Sequence, residues 1–135
     1  FKPKLAYGFH RELFKFANSS MDISDGLLID LKKMLPNKKY GFSLDYDKLP
    51  KSIYFKNLLK KKKNLSINHL FKGDDYQILF TAKPSSRSII LKYSKMWNQK
   101  ITRIGVITNS KGNYMKINNK NIKIKDYQGY IHKFN

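Results

Sequence analysis

Hydrophobic spacing predicts a chain in which helices and strands alternate. The clearest pattern runs from Asp25 to Leu35, where apolar side chains recur three and four positions apart and form one stripe along a helix. Ser24 stands where an N-cap residue belongs, and Pro36 ends the run. Similar spacing predicts a helix over Phe9–Asn18, with its apolar side on Leu13, Phe14, Phe16 and Ala17. Further helices are predicted over Ser52–Lys62, Ile67–Phe71 and Ser85–Trp97.

Alternating apolar and polar residues predict the strands. Gly41–Tyr46 places Phe42, Leu44 and Tyr46 on one face of a strand. Near the C-terminus, two short alternating runs flank Asn118–Asn121, which predicts a hairpin. The other predicted strands are Ser20–Ile23, Tyr76–Ala82, Ile101–Thr108, Tyr114–Ile117 and Ile122–Ile124. We therefore expect an α/β (α+β) fold in which helices pack on a mixed β-sheet.

Length and composition favour one globular domain over residues 1–135. The absence of cysteine excludes a disulfide scaffold, a zinc–thiolate site, an iron–sulfur cluster and a cysteine nucleophile. No apolar run approaches the roughly 20 residues that span a bilayer, and no signal peptide is evident. These features predict a soluble, cytoplasmic protein. Because the first residue is Phe1 and not methionine, we expect further sequence upstream.

The charge is strongly positive, at +19, and it raises the possibility of a basic nucleic-acid-binding module. Of the 28 basic residues, all but Arg11, Arg87 and Arg103 are lysine. Nucleic-acid readers commonly use arginine for bidentate contacts. A lysine-, asparagine- and isoleucine-rich coding bias is therefore the favoured explanation, and we expect no specific nucleic-acid partner.

The few acidic residues are clustered. Five of the nine are Asp22, Asp25, Asp30, Asp74 and Asp75. In an extended chain, Asp22 and the hydroxyl of Ser24 share a face, and Asp25 follows at the predicted start of a helix. Two carboxylates and a hydroxyl at a strand–helix junction suit Mg²⁺, with Gly26 allowing close approach of a ligand. The alternative that the spacing leaves open is simple capping of the helix.

The second acidic segment, Gly73–Tyr76, has an equally plain alternative, because Gly-Asp-Asp is good turn chemistry. The histidines His10, His69 and His132 lack metal-ligand spacing. No hydrolase triad, phosphate-binding P-loop or dinucleotide fingerprint is present.

Four segments, in this order, resemble thiamine-monophosphate kinase of the aminoimidazole ribonucleotide synthetase-like superfamily. Met21–Leu31 is similar to its Asp-hydrophobic-Ser-Asp-Gly-Leu…Asp-Leu motif, and Gly73–Thr81 is similar to its Gly-Gly-Glu-Asp-Tyr-Glu-Leu-Leu-Phe-Thr segment. Arg103–Ile107 resembles an Ile-Gly-x-Ile strand, and Gly129–Phe134 resembles a terminal Gly-Tyr-x-His-Phe. The resemblance covers the C-terminal half of the family's protein. It implies that the N-terminal ATP- and magnesium-binding domain is absent from this chain.

The resemblance implies an enzyme that transfers the γ-phosphoryl group of ATP to thiamine monophosphate and forms thiamine diphosphate. Asp22 and Asp25 would then bind Mg²⁺, Ser24 would contact ATP, and Asp74 and Tyr130 would bind thiamine monophosphate. The full-length protein is expected to be a homodimer, and the 135 residues alone are expected to be inactive. Three positions depart from the motif, with Lys72 in place of a glycine and Asp74 and Gln77 in place of glutamates. The alternative within the superfamily is another ATP-using enzyme.

Overall fold

The computed structural model describes residues 8–35, 39–51 and 77–124. Three α-helices and six strands lie in these ranges. The helices are α1 (His10–Leu13), α2 (Leu27–Met34) and α3 (Arg87–Met96). The strands are β1 (Ala17–Asp22), β2 (Gly41–Asp45), β3 (Ile78–Ala82), β4 (Gly105–Thr108), β5 (Asn113–Ile117) and β6 (Lys120–Lys123). Short 3₁₀ turns follow β2 at Tyr46–Lys48 and precede α3 at Pro84–Ser86.

The strands form two sheets. β1 and β3 pair antiparallel as a two-stranded sheet. The other four strands lie in the order β4-β2-β5-β6, where β2 runs antiparallel to β4 and parallel to β5. β5 and β6 form an antiparallel hairpin. The expected mixed sheet with helices is therefore confirmed.

The main core joins helix α2 to strands of both sheets. Its buried side chains are Leu28, Leu31, Phe42, Leu44, Leu79 and Met115. Leu28 and Leu31 are three residues apart, so they face the sheet from the same side of α2. Burial of a side chain of this size stabilises the fold by about 1.5–3 kcal/mol. The predicted helical stripe is thus the surface that fixes α2 in place.

A second, aromatic core holds α1 against α3. Phe9, Leu13 and Phe16 are buried there beside half-buried side chains of α3, including Tyr93. The ring of Phe16 packs edge-on against that of Phe80, with centroids 5.5 Å apart. This contact ties α1 and the turn that follows it to β3.

The hairpin prediction is confirmed with a tighter turn. Asn118 and Asn119 have φ angles of 46° and 63°, and β6 begins at the next residue. Asparagine adopts this left-handed conformation more readily than most residues, and two such residues form the turn that favours hairpins.

Two predicted elements are shorter than expected. The helix predicted over Phe9–Asn18 ends at Leu13, because the chain from Ala17 onward pairs as β1 with β3. Phe14, assigned to its apolar side, is 78% exposed. The strand predicted over Ile101–Thr108 begins only at Gly105, where pairing with β2 begins.

Other boundaries move by a few residues. β1 starts three residues before the predicted Ser20, and β2 ends at Asp45, so the half-buried Tyr46 belongs to the following 3₁₀ turn. The helix after Pro84 is confirmed, with a 3₁₀ turn at its start. Pro36, Tyr76 and the helices predicted over Ser52–Lys62 and Ile67–Phe71 lie outside the described residues. Within the described ranges, no helix is both long and apolar enough to cross a membrane.

Candidate functional site at the start of helix α2

The candidate site begins where strand β1 ends. Asp22 is the last residue of β1 and pairs with Ile78 of β3. The N–H of Ile23 then donates to the carbonyl of Gln77 at 2.9 Å, which extends the pairing by one residue. The end of the strand that carries Asp22 is therefore fixed by its neighbour, while the Asp22 side chain is exposed.

A sharp turn connects β1 to α2. Gly26 is the N-cap residue, with φ 115° and ψ 147°, and the helix starts at Leu27. A positive φ of this size favours glycine, because other residues meet a steric penalty there. The expectation that Ser24 caps a helix starting at Asp25 is wrong, since the helix begins at Leu27 and its N-cap residue is Gly26.

The capping role belongs instead to Asp30, one turn into the helix. Its Oδ2 atom accepts hydrogen bonds from the backbone N–H groups of Ser24 and Asp25 at 2.9 Å each and of Gly26 at 3.2 Å. In return, the N–H of Asp30 donates to the carbonyl of Gly26 at 3.0 Å. The arrangement resembles a capping box in which the acid reaches back to three donors. The Asp30 side chain is completely buried.

Lys33 completes this network from the surface. Its ammonium donates to Oδ1 of Asp30 at 3.0 Å and also to Oδ2 of Asp25. Burial alone would raise the pKa of Asp30, but the bonds from Lys33 and from the N–H groups of Ser24 and Asp25 hold that pKa below its usual value. Hydrogen bonds to Asp25 and Asp30 raise the pKa of Lys33. Both groups are therefore charged near neutral pH.

Three of the five residues predicted for the site lie together. Asp22, Ser24 and Asp25 are exposed within one strand end and the bend that follows it. Because the strand ends at Asp22, the extended-chain spacing that predicted a shared face with Ser24 does not apply beyond that point. Asp74 and Tyr130 lie outside the described residues. The acid clustering included Asp30 but assigned it no role, because its partners are backbone N–H groups that the sequence pattern does not reveal.

The oxygen atoms of this segment suit a magnesium ion that is only partly held by the chain. Among the described residues, no three His, Cys, Asp or Glu side chains are grouped as a complete metal site. Mg²⁺ commonly takes one or two protein carboxylates and completes its shell with water and substrate phosphates. The Lys33 ammonium beside Asp25 indicates that a positive charge is favoured at this position. Asp22 and Asp25 are the two exposed carboxylates of this segment, and the ammonium of Lys33 already partners Asp25.

Fold and sequence together define the class. Residues 7–118 match the family described as AIR synthase related protein, C-terminal domain. The chain belongs to this family.

Two individual proteins are similar to this chain over nearly its whole length. The chain is 33% identical over 132 residues to a thiamine-monophosphate kinase of Nitrosopumilus maritimus, covering 97% of this chain and 40% of that protein. It is 32% identical over 133 residues to the thiamine-monophosphate kinase of Buchnera aphidicola subsp. Schizaphis graminum, covering 96% and 39%. The chain thus spans about 40% of the length of these relatives.

Solved structures are similar in the same region. AaThiL complexed with AMPPCP and TMP matches with a TM-score of 0.65 and 28% identity, covering 97% of this chain and 38% of that one. The thiamine-monophosphate kinase of Stenotrophomonas maltophilia matches with a TM-score of 0.61 and 29% identity, covering 76% and 32%. The chain is therefore related to thiamine-monophosphate kinases in both sequence and fold.

Proposed function

We propose that this chain is the C-terminal domain of a kinase that transfers the γ-phosphoryl group of ATP to thiamine monophosphate. The relatives that cover nearly the whole chain carry the name thiamine-monophosphate kinase, and one solved relative binds AMPPCP and TMP. In the transfer, the bond between the γ-phosphorus and its bridging oxygen breaks. A phosphate oxygen of thiamine monophosphate forms the new bond, and ADP leaves.

The observation that carries the proposal is the carboxylate-bearing turn between β1 and α2. Phosphoryl transfer depends on positioning and on neutralising charge more than on covalent help from the protein. Magnesium bound there would neutralise charge on the phosphates. Asp22 and Asp25 would hold it, since both carry exposed carboxylates on a backbone that β3 fixes at one end and Asp30 at the other.

Ser24 has a narrower role within this proposal. Its backbone N–H is already bonded to Asp30, so it has no free N–H for a phosphate. The contact with ATP that the family motif implies therefore comes from its exposed hydroxyl. An alanine at this position tests that role while leaving the backbone bond in place.

Substrate binding is assigned to Asp74 and Tyr130 on the family motif. An aromatic face on the cationic thiazolium is a favourable contact, and a carboxylate beside it adds charge complementarity. We further propose that residues 1–135 act together with an N-terminal ATP- and magnesium-binding domain in a homodimer.

The experiment uses protein made from the whole open reading frame that contains this chain. It is given ATP and Mg²⁺ with thiamine monophosphate, with thiamine, or with other phosphate-bearing acceptors, and the products are separated. We expect thiamine diphosphate from the monophosphate alone. Transfer only to a different acceptor would place the protein with another ATP-using activity of the superfamily. Tight, steeply salt-dependent binding of RNA or DNA without any transfer would favour the basic binding module.

Two variants test the site itself. Asp25→Asn is expected to lower the rate by about 100-fold or more, as is usual when a metal-supporting group is lost. Asp47→Asn is the matched control, because Asp47 is an exposed acid on the 3₁₀ turn after β2. Equal activity of both variants and the wild type would refute the role assigned to Asp25.

A further inference from the structure

A fully buried carboxylate stands behind the candidate site. Asp30 is the one buried charged residue in the described part of the chain. Its carboxylate accepts hydrogen bonds from the turn that carries Asp25 and from the ammonium of Lys33. A buried charge is retained at a cost unless it is fully bonded. The hydrogen bonds of Asp30 therefore indicate the role of this carboxylate in the fold.

The bonds of Asp30 converge on one stretch of backbone. Three consecutive N–H groups, from Ser24 to Gly26, point at a single oxygen, Oδ2. Successive N–H groups that converge in this way form a concave site for an anion. Here the anion is the carboxylate of Asp30. The turn consequently offers no N–H groups to an external phosphate, and its outer side presents side chains.

The same bonds hold the backbone that carries the side chains of Ser24 and Asp25. Asp22 is at the end of β1, where pairing with β3 holds its backbone. The backbone of Asp25 is held by the hydrogen bond from its N–H to Asp30. Without the hydrogen bond from the Asp25 N–H to Asp30, the turn is held only by the strand before it and the helix after it. Because binding of a cation by two carboxylates requires both at fixed positions, the loss of Asp30 reduces that binding even in a folded protein.

We propose that Asp30 is a positioning residue that holds the Ser24–Gly26 turn so that Asp22 and Asp25 face one divalent cation. This inference rests on the cation role proposed for Asp22 and Asp25, and it does not depend on the identity of the phosphate acceptor. Asp30 itself does not touch the cation, because its Oδ2 is occupied by the turn and its Oδ1 by Lys33.

The test measures cation binding by the 135-residue chain directly, without an activity assay. Mn²⁺ is titrated into the ¹⁵N-labelled chain, and paramagnetic broadening of backbone amides reports where it binds. In the wild type we expect saturable broadening centred on Asp22 and Asp25. In Asp30→Ala, we expect at least about 10-fold weaker Mn²⁺ binding, the size typical for loss of a group that orients metal ligands.

Leu31→Ala is the matched control for a purely structural effect. Leu31 is the next residue of α2 and is buried in the main core, but it makes none of the turn's side-chain bonds. The substitution of Leu31 by alanine destabilises the packing of the same helix and leaves the hydrogen bonds of the turn in place. We expect folded Leu31→Ala to bind Mn²⁺ as the wild type does.

Asp30→Asn keeps the proposal testable if Asp30→Ala does not fold. Asparagine retains one oxygen that can face the turn, so we expect weakening of Mn²⁺ binding between that of the wild type and that of alanine. The amide proton signals of Ser24, Asp25 and Gly26 should also shift, because their acceptor loses its charge. Wild-type Mn²⁺ affinity in folded Asp30→Asn, equal weakening in Leu31→Ala, or no saturable Mn²⁺ site in the wild type would each overturn the proposal. A kinase assay that fails while these Mn²⁺ results hold would count against the proposed function alone.

Discussion

Replacing Asp30 with alanine should lower the free energy of unfolding by about 3 kcal/mol. The substitution leaves the N–H of Gly26 without an acceptor in a buried position, at a cost of about 1–3 kcal/mol. The N–H groups of Ser24 and Asp25 are part-buried, so water recovers some of their loss. Loss of the ion pair with Lys33 adds little, because the ammonium of Lys33 is half-exposed and keeps Asp25 as a partner.

The assay is urea unfolding of the wild type, Asp30→Ala and Asp47→Ala, followed by circular dichroism. Asp47 is exposed on its 3₁₀ turn, so its loss should change stability by no more than about 0.5 kcal/mol. Asp30→Asn should fall between the wild type and alanine. An Asp30→Ala effect no larger than that of Asp47→Ala would refute the claim that the turn depends on this carboxylate.

Two further predictions concern the Asp30–Lys33 network, and a third concerns a backbone contact of β2. The pKa of Asp30 lies below the usual value for an aspartate, so the stability that its carboxylate contributes is present above the unfolded-state pKa and is lost as pH falls through the folded-state pKa. Urea unfolding from neutral pH downward should therefore show a steeper loss of stability for the wild type than for Asp30→Asn. Lys33→Met should tighten Mn²⁺ binding by up to about 5-fold in the amide-broadening titration, because it removes an ammonium worth up to about 1 kcal/mol from Asp25. Gly41→Ala should cost about 3 kcal/mol in urea unfolding, since its Cβ would meet the carbonyl oxygen of Gly112 at 2.0 Å, and a loss under about 1 kcal/mol would mean that this backbone contact relaxes.

Periodic packing was the part of the fold that could be predicted from the sequence. The stripe along α2 is confirmed, because its core face is set by local spacing and by burial of Leu28 and Leu31. The hairpin is confirmed for a similar reason, since the turn chemistry of Asn118 and Asn119 acts within a few residues.

Competition between distant segments could not be predicted in the same way. The run from Phe9 has helical spacing, but its last residues, from Ala17 onward, pair as a strand with β3, more than fifty residues later in the chain, and a turn separates them from the helix. Non-local pairing of this kind overrides local propensity.

The candidate site shows both cases. Its exposed residues Asp22, Ser24 and Asp25 could be chosen from acid clustering and from the family motif, and the structure places them at the end of β1 and in the bend that follows it. The predicted start of α2 was wrong because Ser24 fits the usual capping chemistry. In the structure, the carboxylate of Asp30 accepts the hydrogen bonds of the turn instead. An acid used in this way is recognisable only when the backbone of the turn is known.

Conversion of thiamine monophosphate at rising Mg²⁺ tests the central claim most directly. The protein from the whole open reading frame is compared with its Asp22→Asn and Asp47→Asn variants, with ATP in excess and thiamine diphosphate measured as product. We predict that Asp22→Asn needs far more Mg²⁺ and forms product at least about 100-fold more slowly at low Mg²⁺, while Asp47→Asn matches the wild type. Thiamine diphosphate formation by Asp22→Asn with the Mg²⁺ dependence of the wild type would contradict the assignment of this turn as the magnesium-binding part of a kinase.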